Sequence, residues 1–277
     1  MKQKKRWIIL AAACAAAAVT AAAGLDQELV TRTYSISTEK RSQPIRLALL
    51  TDLHSCAYGP GQRDLLDAVN AAHPDLVLLG GDILDDDPTL DAENAWTVLR
   101  TLGEAYPTFY VTGNHEFWSG RAEDWKEQIT ALGITVLEGD CATVVIQGQP
   151  LNLCGVDDPA AGEAVWEAQL QRAAGAADPA YFTILLSHRP ERGEDYQGKG
   201  FDLVLAGHAH GGQWRVPGLL NGLLAPDQGL LPAYAGGLYA LEDTTLVVSR
   251  GLARESTRVP RLFNPPELVI LDVIPAR

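Results

Sequence analysis

Cysteine is scarce in this chain of 277 residues, which contains only Cys14, Cys56, Cys141 and Cys154. None of them forms the C-x-x-C pair of a zinc knuckle or a thiol redox site, so the sequence excludes both kinds of site. The three that follow the amino-terminal segment are too few for a disulfide framework. Cys141 and Cys154 either pair with each other or remain buried thiols, and the sequence leaves both states open.

Basic residues are also few, with 22 Lys and Arg against 35 Asp and Glu. Four of the basic residues (Lys2, Lys4, Lys5 and Arg6) stand together at the amino end, so the remaining chain has 18 basic residues and a net charge near −17. A surface this acidic repels nucleic acid and anionic lipid headgroups and disfavours non-specific binding to either. We therefore expect no nucleic-acid partner, and the sequence indicates no protein partner.

The first residues have the pattern of an export segment. The basic cluster precedes an uncharged, mostly alanine run at residues 7–25, which is the order of regions in a signal peptide. The run is about long enough to span a bilayer, and the small residues at 21–23 also suit cleavage. We expect residues 1–25 to be a signal peptide or a single membrane anchor. The basic flank predicts that the following chain is exported, either to the outer face of the cell membrane or, after cleavage, as a secreted or cell-wall protein.

The rest of the chain alternates apolar runs with helical patterns, and no long-period repeat is present, which excludes solenoids and propellers. Residues 26–43 are predicted to be a linker or an edge strand, and residues 44–277 one domain. Buried strands are predicted at 45–50, 76–79, 109–111, 151–156, 182–186 and 203–205. Helices are predicted at 62–72, 92–102 and 122–132, and a closing hairpin-like strand pair at 245–248 and 267–273. This order predicts an α/β domain of layered sheets with outer helices.

A polar side chain follows each of five apolar runs. These side chains are Asp52, Asp82, Asn114, His188 and His208. In α/β sheets, ligands bind outside the carboxyl ends of the strands. We therefore expect the five side chains to meet at one edge of one sheet.

The segments around these residues are rich in metal-binding side chains. They read Asp-Leu-His at 52–54, Gly-Asp at 81–82, Gly-Asn-His-Glu at 113–116, Ser-His at 187–188 and Gly-His-Ala-His at 207–210. Five of the six histidines lie in them, and only His73, at a predicted helix end, is separate. Carboxylate, amide and imidazole donors suit manganese, iron or zinc, whereas magnesium and calcium prefer oxygen ligands. The lack of cysteine in the set argues against a structural zinc site.

The ordered set of motifs resembles the calcineurin-like metallophosphoesterase superfamily over nearly all of the chain after residue 25. Gly-His-Ala-His-Gly-Gly-Gln at 207–213, Gly-Gly-Leu-Tyr at 236–239 and Ser-Arg-Gly-Leu at 249–252 are similar to its bacterial membrane-associated YaeI/YkuE-like phosphodiesterase branch. The resemblance implies a layered α-β-β-α sandwich of two mixed sheets flanked by helices, with the metal site at the carboxyl ends of the strands. It also implies an enzyme, a metal-dependent phosphoesterase.

The resemblance further implies two divalent metal ions (Mn, Fe or Zn). The implied ligands are, for the first ion, Asp52, His54 and His210; for the second, Asn114, His188 and His208; and, bridging both, Asp82. A hydroxide shared by the two ions would attack phosphorus. His115 would be the general acid that protonates the leaving oxygen, and Asp85 would orient His115.

The substrate is indicated only in outline. A loop at residues 214–235 is rich in leucine, and it is either packed on the domain or a greasy lip that accepts an acyl chain or rests on a bilayer. With the export segment, this loop favours an envelope or lipid-linked phosphate ester, which could be a monoester, a diester or a pyrophosphate. The alternatives are a catalytically silent metal-binding or scaffold protein of the same fold and a pyrophosphatase acting on nucleotide-sugar lipids.

Overall fold

The computed structural model describes residues 24–254 and 260–276. The predictions of a signal peptide or a membrane anchor at residues 1–25 therefore fall almost entirely outside the described residues. Within the described ranges, no helix is both long enough and apolar enough to cross a membrane.

Strands and helices alternate through the first two thirds of the chain, and strands dominate the last third. The strands are β1 (Val30–Thr38), β2 (Ile45–Leu50), β3 (Leu76–Gly80), β4 (Thr108–Val111), β5 (Thr135–Val136), β6 (Asp140–Ile146), β7 (Gln149–Gly155), β8 (Phe182–Leu186), β9 (Leu203–Ala206), β10 (Leu224–Ala225), β11 (Gly229–Leu230), β12 (Gly237–Ala240), β13 (Thr245–Val248) and β14 (Glu267–Pro275). The α-helices are α1 (Arg63–Ala72), α2 (Glu93–Ala105), α3 (Asn114–Trp118), α4 (Ala122–Ala131), α5 (Glu163–Ala176) and α6 (Gly193–Tyr196). The six buried strands and three helices predicted from the sequence are all present.

Two six-stranded sheets are formed by the described residues. The first has the order β1-β14-β2-β3-β4-β5, and the second has the order β12-β13-β9-β8-β7-β6. Both are mixed: β2 to β5 run parallel while β14 runs antiparallel to β2, and β7, β8, β9 and β13 run parallel between antiparallel outer strands. The outer strand β1 takes up half of the polar segment at residues 26–43.

The two sheets pack face to face, and helices cover their outer faces. Aliphatic side chains such as Leu47, Leu49, Leu153, Leu186 and Leu205 fill the space between the sheets. Helices α1, α2 and α4 bury apolar side chains against the first sheet, and α5 does so against the second. The predicted layered α-β-β-α sandwich is therefore confirmed.

The predicted pairing of residues 245–248 with 267–273 was wrong. Strand β13 lies between β12 and β9 in the second sheet, whereas β14 lies between β1 and β2 in the first. Both strands are apolar and largely buried. An apolar run predicts a buried strand, but it does not specify which strand will pair with it.

The expectation that all five polar side chains meet at one edge of one sheet was also wrong. Asp52, Asp82 and Asn114 follow strands of the first sheet, whereas His188 and His208 follow strands of the second. The carboxyl ends of both sets of strands meet at the same end of the sandwich. The site therefore lies between the two sheets.

The pairing of β6 with β7 brings Cys141 and Cys154 together. Cys141 and Cys154 stand directly opposite each other in this antiparallel pair and form a disulfide bond. The structure thus takes one of the two states that the sequence left open.

Candidate metal centre

Loops at the carboxyl ends of five strands carry all seven predicted metal ligands, and every one of these side chains is buried. The residues are Asp52 and His54 after β2, Asp82 after β3, Asn114 after β4, His188 after β8, and His208 and His210 after β9. Hydrogen bonds join the loops across the two sheets. The Asp52 N–H donates to the Gly81 carbonyl (3.0 Å), and the His208 N–H donates to Asp52 Oδ1 (2.9 Å).

The ligands form two clusters that share a boundary. Asp52, His54 and His210 make one cluster, and Asp82, His188 and His208 make the other; within each, the donor atoms lie within 4.8 Å of one another. Asp82 Oδ2 lies 3.0 Å from His188 Nε2 and 3.7 Å from His54 Nε2, so it stands between the clusters. The clusters contain six of the seven predicted ligands, and the seventh, Asn114, is buried after β4.

Three donor atoms of the predicted ligands are buried and have no hydrogen-bond partner among the described residues. They are Asp52 Oδ2, His54 Nε2 and Asn114 Oδ1. A buried polar atom that lacks a partner costs about 1–3 kcal/mol, and such atoms are therefore rare unless an ion or water completes their environment. One carboxylate oxygen, one imidazole nitrogen and one amide oxygen are the donor types that a first-row divalent cation accepts together. The residues present therefore fit a metal ion.

Two of the histidines are oriented by a hydrogen bond at Nδ1, the ring nitrogen that faces away from the cluster. His188 Nδ1 lies 2.8 Å from the Gly80 carbonyl oxygen, which leaves Nε2 facing Asp82. His54 Nδ1 lies 2.7 Å from Asp85 Oδ2, which leaves Nε2 facing the cluster. This second hydrogen bond is the usual way in which proteins fix the ring of a metal-binding histidine.

His208 is oriented in the opposite sense. Its Nε2 lies 2.8 Å from Asp227 Oδ2 and 2.9 Å from Arg189 Nη1, which leaves Nδ1 for a metal. Arg189 is held in turn by Asp158, with Nη2 donating to Oδ1 at 2.9 Å. Sequence reasoning missed Asp158 and Asp227 because they are far from His208 along the chain and belong to no recognisable motif.

Charge and burial set the protonation states of His210 and Asp82. Burial lowers the pKa of His210 to about 3, so at neutral pH its ring is in the neutral form that binds metals. Burial alone would raise the pKa of Asp82, but the charge and hydrogen bond of His188 and the charge of His54 hold it well below its usual value. Asp82 is therefore an ionised acceptor.

The backbone is in an uncommon conformation at five of the seven residues. The φ angle is 51° at Asp52, 48° at His54, 51° at Asp82, 62° at His208 and 46° at His210. Left-handed backbone at residues other than glycine costs on the order of 1–3 kcal/mol each and is concentrated at functional sites. The surrounding fold therefore stabilises a donor arrangement that local preferences oppose.

Close backbone packing holds Asp82 against the start of α3. A Cβ atom on Gly113 would lie 2.1 Å from Asp82 Oδ1, so only glycine fits there. The His115 N–H donates to the same oxygen at 2.9 Å. The Gly-Asn-His motif thus supplies a turn that lets two ligand loops touch.

Glu116 was not among the predicted site residues, yet it ties these two loops together. Its fully buried carboxylate accepts hydrogen bonds from four backbone N–H groups: Gly113 (2.7 Å), Asp82 (3.0 Å), Ile83 (2.8 Å) and Leu84 (3.1 Å). The motif placed Glu116 in the right segment, but its spacing does not show that the side chain points away from the metal donors.

Glu116→Gln should destabilise the fold through these loops. At pH 8 the carboxylate is ionised, although burial raises its pKa to about 7, and an amide would present N–H donors to backbone N–H donors. We expect the free energy of unfolding in urea to fall by roughly 2–4 kcal/mol, since two buried donors lose their partner. The matched control is the exposed Glu127→Gln on α4, which should change it by less than about 0.5 kcal/mol. Equal stability of the two variants would contradict the positioning role.

His115 lies at the mouth of the site. Its side chain is 24% exposed, and its ring centroid lies 4.4 Å from that of His54. Nδ1 lies 2.6 Å from Asp86 Oδ1 and 3.6 Å from Asp85 Oδ2. Burial alone would lower the pKa of His115, but the surrounding carboxylates Asp85, Asp82 and Asp86 outweigh burial and raise it to about 9.

Asp85 lies between two histidines. Its Oδ2 is 2.7 Å from His54 Nδ1 and 3.6 Å from His115 Nδ1. Asp86 is the carboxylate nearer to His115, and the sequence motifs did not indicate it. The acidic run at residues 85–87 was the available signal, but it did not show which carboxylate contacts which ring.

A two-sheet sandwich with buried carboxylate, amide and imidazole donors where its sheets meet defines a candidate metal centre. A family model described as calcineurin-like phosphoesterase matches residues 45–212, a range that contains all seven donors and His115. The chain belongs to the calcineurin-like phosphoesterase family. This membership confirms the resemblance seen in the sequence and, with it, a metal-dependent hydrolase that acts on phosphoester bonds.

Individual relatives agree with this assignment. Phosphodiesterase YaeI of Escherichia coli (strain K12) is 31% identical over 240 residues, covering 83% of each chain. The uncharacterized metallophosphoesterase YkuE of Bacillus subtilis (strain 168) is 29% identical over 208 residues, covering 74% of this chain and 70% of its own. Among solved structures, the NAD nucleotidase NadN of Haemophilus influenzae has a TM-score of 0.51 at 16% identity, over 76% of this chain and 46% of that chain. The likeness to NadN is one of fold alone.

Proposed function

We propose that this protein hydrolyses phosphate esters of the cell envelope, in the first place phosphodiesters, with two divalent metal ions and His115 as general acid. The observation that carries the proposal is the position of Asp82 Oδ2, between His188 Nε2 at 3.0 Å and His54 Nε2 at 3.7 Å. A carboxylate shared by two donor clusters supports a pair of ions rather than one. The similarity to Phosphodiesterase YaeI supports a diester substrate.

The proposed ligands follow the two clusters. Asp52, His54 and His210 would hold the first ion, Asn114, His188 and His208 would hold the second, and Asp82 would be shared by both. The donor types favour manganese, iron or zinc. When bound, such ions would polarise the phosphoryl oxygens and lower the pKa of an attacking water.

His115 is the proton donor in this proposal. Its Nδ1 is held by Asp86 at 2.6 Å, so Nε2 is the atom that would deliver a proton to the leaving oxygen. The ring is partly exposed at the mouth of the site, where a bound ester would place its leaving group. Asp85 and Asp86 would orient the ring and favour its protonated form.

The leucine-rich loop (residues 214–235) supports a lipid-linked substrate. Its Asp227 reaches into the site and contacts His208 Nε2 at 2.8 Å, while Leu230 and Leu231 of the same loop are 72% and 66% exposed. Large apolar side chains exposed together mark contact sites for lipid or protein. A lip of this kind beside the donors would accept an acyl chain.

The export pattern at residues 1–25 and the Cys141–Cys154 disulfide support a location outside the cytoplasm. Disulfide bonds persist in oxidising compartments and are rare in the cytosol. We therefore propose the outer face of the cell membrane as the place of action, or the cell wall or medium if the segment is cleaved.

The proposed reaction is tested with two chromogenic esters. The full chain, loaded with manganese, is given bis-p-nitrophenyl phosphate and p-nitrophenyl phosphate in parallel. We expect metal-dependent hydrolysis of the diester at the higher kcat/KM. Hydrolysis of the monoester alone would replace the diesterase with a phosphatase. Hydrolysis of neither ester, with ions bound, would contradict the proposal and favour a silent scaffold of the same fold.

The proposed lip is tested by Leu230→Ser with Leu231→Ser. In the proposal, an acyl chain of the substrate partly buries both leucines. Full burial of one leucine stabilises by about 1.5–3 kcal/mol. The double variant should therefore lower kcat/KM for a lipid phosphodiester about tenfold more than for bis-p-nitrophenyl phosphate. The matched control is Val145→Ser on β6, an exposed apolar side chain elsewhere in the fold. Equal losses on the lipid and the soluble ester would exclude a lipid-binding lip.

A further inference from the structure

A second polar pocket lies outside the metal centre. It has a volume of about 540 Å³ and is lined by three arginines, Arg32, Arg215 and Arg250, together with apolar side chains that include Leu219 and Phe263. None of the seven metal ligands lines it. Arg250 belongs to the Ser-Arg-Gly-Leu segment, which has no role in the proposed reaction.

The positive charge of this arginine pocket is only partly balanced. Glu267 pairs with Arg250 through Nε at 2.6 Å and with Arg32 through Nε at 3.3 Å. Arg215 instead donates to neutral acceptors, the Gly211 carbonyl at 3.3 Å and the Asn221 side chain. Among the described residues, no other carboxylate forms an ion pair with any of the three arginines. Three guanidinium groups thus face one carboxylate, in a chain that is otherwise strongly acidic.

One arginine donor in the pocket is buried and unsatisfied. The Arg250 side chain is only 7% exposed, and its Nη2 has no hydrogen-bond partner within residues 24–254 and 260–276. Burial, and then the charge of Arg250, lowers the pKa of Arg215, which reflects cations held close together out of water. An unpaired buried charged donor is costly, and an anion between these groups would remove that cost.

We propose that the arginine pocket binds a phosphate group other than the one that is hydrolysed. Phosphate offers several oxygen acceptors to the planar forks of arginine, which bind such anions with two hydrogen bonds each. The acidity of the whole surface opposes non-specific attraction of anions, so binding depends on these three side chains. Leu219, which is 85% exposed, and Phe263 lie beside the charged groups and suit a phosphate that carries an acyl chain.

The pocket lies where the export segment joins the fold. Gly24, the first described residue, packs against Leu262 and Phe263, and its carbonyl accepts the Phe263 N–H at 2.6 Å. Gly24 therefore lies beside a side chain that lines the pocket. A membrane lipid headgroup and a free phosphate compound are both sources of the same anion, and this position favours the headgroup.

The pocket also touches the back of the metal centre. Arg261 Nη1 donates to the Arg250 carbonyl at 2.7 Å, and Arg261 Nη2 lies 3.5 Å from His210 Nδ1. An anion bound in the pocket would thus be linked through Arg250 and Arg261 to His210, one of the proposed metal ligands. The binding itself requires no catalysis, so its test stands apart from that of the hydrolase.

The proposal is tested by isothermal titration of the full metal-loaded chain in detergent with inorganic phosphate. The wild type should bind one phosphate more per chain than the variant Arg32→Gln/Arg215→Gln. The matched control, Arg63→Gln/Arg100→Gln, removes the same charge from exposed positions on α1 and α2 and should bind as many phosphates as the wild type. An equal number in the wild type and the pocket variant would overturn the proposal.

A second variant covers the case in which the double variant does not fold. Arg32→Gln alone replaces a side chain that is 51% exposed, and it should weaken binding of the additional phosphate about tenfold, the effect of one charge-assisted hydrogen bond. Unchanged affinity in Arg32→Gln would contradict the pocket.

Soluble dihexanoyl phosphatidic acid separates the two sources. Affinity at least about tenfold above that of inorganic phosphate, lost in Leu219→Ser, would identify a lipid headgroup. Equal affinities, unchanged in Leu219→Ser, would identify a free phosphate compound in the same pocket.

Discussion

Asp82→Asn should abolish the paired metal centre while leaving the fold intact. The substitution keeps the size of the side chain but removes the charge that stands 3.0 Å from His188 Nε2 and 3.7 Å from His54 Nε2. We expect the chain to retain at most one of the two proposed ions and kcat/KM for bis-p-nitrophenyl phosphate to fall by about 10³ or more. The stabilisation that a catalytic ion gives to the transition state amounts to several kcal/mol, and each 1.4 kcal/mol is about tenfold in rate.

Elemental analysis of the purified variants measures the ion count. The control is Asp67→Asn, an exposed carboxylate on α1, which should keep both ions and full turnover. Full occupancy and turnover in Asp82→Asn would show that this carboxylate is not shared between ions.

His115→Ala should separate proton donation from metal binding. The variant is expected to retain both ions, because the His115 side chain lies at the mouth of the site and is not one of the seven donors. For a diester with an alkyl leaving group, kcat/KM should fall by about 10²–10⁴, the usual contribution of a general acid. For bis-p-nitrophenyl phosphate the loss should be much smaller, since nitrophenolate leaves without a proton.

The comparison of leaving groups is what identifies the role of His115. His73→Ala is the control, because His73 lies at the end of α1 and outside the site. Equal losses on the alkyl and nitrophenyl esters would contradict a general acid and would indicate that His115 binds or positions the substrate.

The proposed metal donors could be selected from the sequence because each lies in a short local pattern. A buried apolar run followed at once by Asp, Asn or His identifies a strand end with a donor, and this holds for Asp52, Asp82, Asn114, His188 and His208. The family resemblance then implied two ligand sets, and in the structure Asp52 lies near His54 and His210 while Asp82 lies near His188 and His208.

The interactions that hold the donors were not predictable, because they join residues far apart along the chain. Asp227 reaches His208 from a loop about twenty residues away, and Asp158 reaches Arg189 from the loop after β7. Glu116 lies inside a recognised motif, but its role depends on three backbone N–H groups of the Asp82 loop. Pairwise contacts of this kind depend on tertiary packing, which local patterns do not encode.

Strand partners were missed for the same reason. The runs that became β13 and β14 are apolar enough to identify buried strands, and their closeness in the sequence favoured a hairpin. In the structure, β13 lies in the second sheet and β14 in the first, and Glu267 begins β14 beside Arg250. This tertiary contact helps to form the arginine pocket, which therefore could not be seen in the sequence.

The most direct test of the account is a metal titration of the full chain. The protein is stripped of metal, shown by circular dichroism to remain folded, and given manganese in steps while hydrolysis of bis-p-nitrophenyl phosphate is followed. The account predicts that turnover is absent without metal and rises to its maximum when two ions are bound per chain. Full turnover in the stripped protein, or a maximum at one ion that a second does not change, would contradict a hydrolase built on two ions.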